Sequence, residues 1–437
     1  MASIETIIKE WQARPLPEFV RRDLRIQLKG NLAAAVIGMR RSGKTWRLFQ
    51  EMDRLIREGG NPADMLYLNF DDGRLPRENG VELLDEVLET FFRINPASRR
   101  RGACFFFDEI QEVPGWARFA RRILDTEKIK LFVSGSSAKL LSTEIATEFR
   151  GRSLAFELLP FSFREYLRRR RMPEKPSPLE RSAYERAFLD YLTEGGFPEA
   201  LSQEDPYIRT GLLQSYLDAV VLRDVLERYG LSNARGVKEL AYTLITHNAQ
   251  PVSVNRLAHQ LQSRNIPMSR EMVTQVSAHF EDAFLVFFVP LYTWALQKAR
   301  VNPQKVYAAD PGLAYALSAA ASQNAGQRFE QAVYLELRRR YPLLRRGGIS
   351  YYLTQDRREI DFILGDPAQK AALALIQASL GLKDPETRKR ETDSLAAAMR
   401  ELGLKKAHII TLHEEEKIKT KAGIINVVPA WRWFLEE

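Results

Sequence analysis

The stretch that most constrains this chain is Gly38-Met39-Arg40-Arg41-Ser42-Gly43-Lys44-Thr45, because few backbone settings accommodate a G-x-x-x-x-G-K-T spacing. Its flanks supply one of them. Leu32 to Ile37 is an apolar run of buried-strand length, and Trp46 to Gly59 places Trp46, Phe49, Met52, Leu55 and Ile56 at helical spacing. A strand, a glycine turn and a helix in that order direct several amide N–H groups and the positive end of the helix toward one point, a setting that favours a polyphosphate anion. Gly38 and Gly43 allow the chain to fold back. Met39, Arg40, Arg41 and Ser42 line the turn, Lys44 reaches the β- and γ-phosphates, and Thr45 offers its hydroxyl to magnesium.

A second element answers the first. Ala103-Cys104-Phe105-Phe106-Phe107 is an uninterrupted apolar strand that delivers Asp108 and Glu109 at its end. In the right chain order after a phosphate loop, Asp108 is expected to hold magnesium, and Glu109 to orient and polarise the water that attacks the γ-phosphate; alone, the pair would read as an acidic turn. A third strand, Ile129 to Val133, runs into Ser134-Gly135-Ser136-Ser137, where Ser134 or Ser136 can meet the γ-phosphate or the lytic water, or cap a helix from Ala138. Arg150 and Arg152 precede the strand Leu154 to Leu158. They suit either a finger reaching a neighbouring subunit's γ-phosphate or a solvated basic turn.

Composition sets the outer bounds. At 437 residues the chain exceeds what one core serves, so two or three domains are expected. A formal charge of +9 permits a polyanionic partner without requiring one. The single cysteine, Cys104, excludes an internal disulfide framework and reads as a core residue. Met1 to Lys9 has no apolar signal region, and Ala283 to Val289 is too short to span a bilayer, so a cytoplasmic protein is expected.

Several motifs together resemble a large prokaryotic family of AAA+-like P-loop ATPases. They are the Gly38 to Thr45 loop, Phe107-Asp108-Glu109-Ile110-Gln111, Ser134-Gly135-Ser136-Ser137, Gly151-Arg152, Leu159-Pro160-Phe161-Ser162-Phe163-x-Glu165, Gly195-Gly196-Phe197-Pro198-Glu199 and Arg223-Asp224. The resemblance implies ATP with Mg2+ as the ligand and an α/β, doubly wound P-loop core over residues 1–165. It further implies a helical lid over 166–245, a winged helix over 246–317, and a terminal restriction-endonuclease-like α/β domain over 325–437.

The later segments add detail. Arg168 to Arg171 is the densest basic cluster and reads as a solvated helix end. Ser253 and Ser269 are expected to cap two helices, Val254 to Gln262 and Arg270 to about Phe284, with wing strands at 285–291 and 305–308. The second helix carries Glu271, Glu281 and Asp282, which argues against base reading, whereas Lys298, Arg300 and Lys305 in the wing suit DNA phosphates. In the terminal domain, Glu330 and Asp361 stand where an endonuclease would hold metal, but Gln377-Ala378-Ser379 replaces the Glu-x-Lys pair, so an inactive centre is expected. The functional expectation is an ATP-hydrolysing motor or remodeller that acts on double-stranded or branched DNA as a homo-oligomeric ring. The alternative is a nucleotide-dependent switch on a protein partner.

Overall fold

A computed structural model of the chain describes all residues except 1–2, 29, 77–79, 138–150, 176, 294–301, 319–323, 346–347, 370 and 437. It divides into two compact units, residues 1–159 with 282–284, and residues 160–281 with 285–437. The first is built on β1 (Ala33–Ile37), β2 (Met65–Asn69), β3 (Ala103–Asp108), β4 (Ile129–Gly135) and β5 (Ser153–Glu157), all parallel, in the order β2-β3-β4-β1-β5. A parallel sheet buried on both faces needs apolar residues at successive positions, which the run Phe105-Phe106-Phe107 supplies. Phe106 packs with Leu48 and Met52 of the helix Lys44–Arg57. Phe105 and Phe107 face the other way, with Phe105 meeting Phe91 of the helix Val81–Ile94 at 5.1 Å between ring centroids. Strand alternation thus places one helix layer on each side.

One detail of this unit differs from the sequence reading. Trp46 lies on the solvent side of its helix at 42% exposure, and Leu48 takes the core position instead. Phe19 to Leu28, ahead of β1, has no regular secondary structure. Arg22 explains why this segment is held in an irregular path. Its buried guanidinium donates to the carbonyls of Ser42 at 2.8 Å and Leu159 at 2.5 Å, and its N–H donates to Gln50 Oε1 at 2.7 Å. These bonds brace the back of the phosphate loop, and an extended path suits them better than a self-bonded helix.

In the second unit, the Ser162-Phe163-x-Glu165 motif proves to be a helix start. Ser162 accepts from the Glu165 N–H, and Glu165 accepts from the Ser162 N–H, which caps the helix Phe163–Arg169 from both sides. The paired glycines also have a packing reason. A Cβ on Gly195 would lie 2.0 Å from Asp310 Oδ1, and one on Gly196 would lie 2.3 Å from the Phe161 carbonyl. Asp310 is fully buried there, accepting from the Gly196 N–H at 2.6 Å and capping the helix Pro311–Leu317 through the Leu313 N–H. Burial raises its carboxyl to about 6, despite these amide donors.

The helices Ala234–Thr246, Val254–Ser263 and Arg270–Asp282 accompany a small antiparallel sheet of β6 (Gln250–Val252), β7 (Val286–Val289) and β8 (Gln304–Ala308), in the order β6-β8-β7. Ser253 and Ser269 do cap their helices, accepting from Arg256 and Met272 N–H groups. Arg223-Asp224 lies in a π-helical turn, where buried Asp224 pairs with Arg228 at 3.2 Å. A mixed six-stranded sheet completes the unit: β9 (Ile349–Leu353), β10 (Glu359–Asp366), β11 (Ala371–Ala378), β12 (Lys406–Thr411), β13 (Glu416–Lys419) and β14 (Ile424–Pro429), ordered β13-β14-β12-β11-β10-β9. The helices Ala325–Arg340 and Pro385–Leu402 pack against it. Among the described residues, no helix is long and apolar enough to cross a membrane.

Candidate nucleotide site and the C-terminal carboxylate cluster

Because β4 lies between β1 and β3, the phosphate loop after β1 and the carboxylates after β3 flank the end of one intervening strand. The loop backbone is shaped for close approach. A Cβ on Gly38 would fall 2.2 Å from the Leu158 carbonyl, Arg41 has φ 67°, and Gly43 has φ 97°. Glu109 is also left-handed, at φ 51°, a costly setting for a side-chain-bearing residue that turns it away from the strand path.

The side chains meet at Asp108. Its Oδ2 accepts from the Thr45 hydroxyl at 2.6 Å and from the Tyr67 hydroxyl at 2.9 Å, while its Oδ1 accepts from Ser134. Burial, then the nearby Glu109 charge, raises the Asp108 carboxyl above the ordinary range, and the three hydroxyl donors oppose that rise. Lys44 is 4% exposed, with Nζ 3.4 Å from Glu109 Oε1 and 3.3 Å from the Met39 carbonyl. Gln111 donates to the other Glu109 oxygen at 2.6 Å. Burial pushes Glu109 upward, but Lys44, Gln111 and Arg40 together outweigh it and hold the carboxyl below its ordinary value. A carboxylate beside a hydroxyl, with an ammonium nearby, is a donor set suited to a magnesium nucleotide. Ser42 adds a buried hydroxyl with no hydrogen-bond partner among the described residues.

Other expected site residues lie elsewhere or act differently. Ser134 bonds Asp108 and accepts from the Glu109 N–H at 3.2 Å, so its hydroxyl fixes the carboxylate pair. Ser136 is buried. Arg152 pairs with Asp125 just before β5, at the end of the parallel strands opposite to the one that carries the phosphate loop. Arg150, Lys298 and Arg300 lie outside the described residues. Tyr67 is the residue sequence reading missed here; within the apolar strand β2 nothing local marks its hydroxyl as an Asp108 partner.

Lys305 is not a phosphate contact. It is 1% exposed, and Nζ lies 2.7 Å from Glu330 Oε1, 2.7 Å from Glu359 Oε1 and 3.1 Å from Asp361 Oδ1. Burial works against this ammonium, but the charges of Glu330, Asp361 and Glu359 prevail and hold it well above the ordinary lysine range. Burial and Asp361 raise Glu330 to about 7 against the pull of Lys305. Tyr307 also donates to Glu330, and Asp361 accepts from the Ala378 N–H at 2.9 Å while its own N–H donates to Gln377. The fold therefore brings Glu330, Asp361 and Gln377 together as the sequence order suggested, but around an ammonium. Among the described residues, no group of three or more His, Cys, Asp or Glu side chains is placed to hold a metal ion.

Comparison with known proteins agrees with the first unit's geometry. A family profile described as AAA domain matches residues 30–167, and two domains of unknown function, DUF8612 and DUF4143, match 185–324 and 325–433. The uncharacterized protein MJ1544 of Methanocaldococcus jannaschii is 32% identical over 443 residues, covering 99% of this chain and 94% of that protein. The chain belongs to the MJ1544 family. An uncharacterized Haemophilus influenzae protein is 28% identical, covering 85% of this chain and 87% of its own length. Among solved structures, the Walker-type ATPase PABY2304 of Pyrococcus abyssi is similar at 14% identity, covering 65% of this chain and 90% of that one with a TM-score of 0.40. The family profile and the parallel sheet with its phosphate loop identify the first unit as a P-loop ATPase domain.

Proposed function

We propose that this member of the MJ1544 family hydrolyses ATP with magnesium. The observation that carries this is the meeting of Thr45 and Asp108 at 2.6 Å beside the Lys44–Glu109 pair at 3.4 Å. Magnesium, when bound, neutralises phosphate charge and polarises the phosphoryl oxygens. Thr45 and Asp108 are the residues to hold it, and the loop amides with Lys44 grip the phosphates. Glu109 then takes a proton from the attacking water. Lys44→Ala should weaken nucleotide affinity, whereas Glu109→Gln should keep affinity and lose turnover; unchanged steady-state hydrolysis in Glu109→Gln would remove Glu109 from this role.

The working context we propose is an oligomer on DNA, with residues 166–245 as lid and 246–317 as a winged helix. The succession of three helices and three strands from Ala234 to Ala308 supports the winged helix. The acidic helix Arg270–Asp282 supports phosphate contacts over base reading. Arg152, placed away from its own phosphate loop, suits a finger that acts on the neighbouring subunit. The burial of Lys305 favours a second reading, a nucleotide-driven switch on a protein partner, since it removes one expected phosphate contact.

A further inference from the structure

Glu109 is held by two groups of different kind. Lys44 meets Oε1 at 3.4 Å, and Gln111 donates to Oε2 at 2.6 Å, so both carboxylate oxygens are engaged. A general base needs one oxygen free to receive the water's proton. The two contacts differ in permanence. Lys44 sits in the phosphate loop, and an arriving triphosphate offers its ammonium more negative charge than one carboxylate does. Gln111 is part of the 3₁₀ turn Ile110–Glu112, directly after Glu109, and has no reason to leave. The amide orientation is fixed by chemistry, because only its NH₂ can face a carboxylate. Its Oε1 is then buried with no hydrogen-bond partner among the described residues, an acceptor left open beside the base.

We propose that Gln111 is a positioning residue, which holds Glu109 by Oε2 so that the release of Lys44 to bound phosphates leaves Oε1 correctly aimed at water. Lys44 thereby couples phosphate occupancy to the availability of the base, and Gln111 prevents the freed carboxylate from swinging away. This rests on the ATPase reading above. In the hydrolysis step, the water oxygen bonds to the γ-phosphorus, the bridging P–O bond breaks toward ADP, and the water's proton passes to Glu109 Oε1.

The test compares the full-length chain with Gln111→Met, which keeps length and loses both the donor and the acceptor, and with Gln111→Ala. Binding of a fluorescent ATP analogue with magnesium, steady-state kcat and KM, and thermal melting are measured for each. Both variants should bind the analogue within about twofold of wild type while kcat falls about tenfold or more. Melting temperature should stay unchanged in Gln111→Met. Equal kcat in wild type and both variants overturns the proposal alone. A parallel loss of analogue binding and melting temperature in both variants also overturns it, because Gln111 would then be a structural support. A wild-type chain that binds no nucleotide overturns the ATPase reading, and this proposal with it.

Discussion

Replacing Lys305 with methionine keeps most of the side-chain volume but removes the ammonium that three carboxylates share, leaving Arg390 of the helix Pro385–Leu402, beside Glu391, as a cation still acting on Asp361. Asp361 and Glu330 have side chains only 7% and 14% exposed, so water cannot take over the ammonium's role. Breaking a buried ion pair from one side costs about 3–5 kcal/mol. At about 2–4 °C per kcal/mol for a unit of this size, the melting temperature of the second unit should fall by roughly 10 °C. The loss should also grow with pH. Glu330 is raised from 4.5 to about 7, so the folded state keeps a proton that the unfolded state has released. Its stabilising contribution, full below 4.5, is lost as pH rises toward 7. Without Lys305 this carboxyl rises further, and the variant's deficit should widen between about pH 5 and about pH 8. Asp310 titrates in part of this range, but it does so in both proteins and cancels. Adding Glu330→Gln to Lys305→Met should recover part of the loss. Urea denaturation followed by circular dichroism reads all three proteins. A deficit under about 1 kcal/mol, or one that is the same at both pH values, would refute the reasoning, since that is the behaviour of an exposed pair.

Three further expectations concern the proposed context. Mixing Arg152→Ala chains with Glu109→Gln chains should restore some ATP turnover at mixed interfaces if Arg152 acts across subunits; a strictly monomeric active enzyme would count decisively against it. DNA affinity should drop steeply with salt and vary little with sequence. Charge reversal at Lys298 and Arg300 should weaken many sequences about equally, and strong preference for one short sequence would contradict phosphate-based binding. Finally, linear, nicked and branched DNA should survive incubation with the protein and magnesium or manganese, because Lys305 neutralises the carboxylates a metal would need; cleavage that vanishes in Asp361→Ala would show the opposite.

The parts legible in the sequence were those whose physics is local. The phosphate loop, the triple-phenylalanine strand and the Ser253 and Ser269 caps each depend on a few neighbouring residues, and β1, β3, β4, β5, β7 and β8 lie close to the runs that predicted them. After Ser379 the reading stopped, although Ala407 to Ile410 and Ile425 to Val428 are mostly apolar, broken only by His408 and Asn426. Their role depends on partners tens of residues away, as in the parallel pairing of β12 with both β11 and β14. Gly195 and Gly196 were noticed as a motif but explained only by Asp310, more than a hundred residues later. Lys305 was read as a surface cation because charge by itself carries no address. The signal available was its neighbours: Val306-Tyr307-Ala308-Ala309 is a continuous apolar run, and a lysine opening such a run needs a buried counter-charge.

The two buried lysines show how geometry separates a working cation from a fixed one. An ammonium has three donors. Those of Lys305 meet three carboxylates at 2.7, 2.7 and 3.1 Å, so no donor remains for another anion, and a phosphate would have to displace charges already in close contact. Lys44 is nearly as buried, yet its polar contacts among the described residues, Glu109 and the Met39 carbonyl, are long at 3.4 and 3.3 Å, and only the first is charged. Desolvation of a charge costs the same in kind at both sites, and at Lys305 three carboxylates in close contact offset it. Lys44 therefore keeps looser contacts, which a polyphosphate can replace, while the close contacts of Lys305 are already made. That difference assigns ligand binding to the first unit and a cohesive role to the carboxylate cluster of the second.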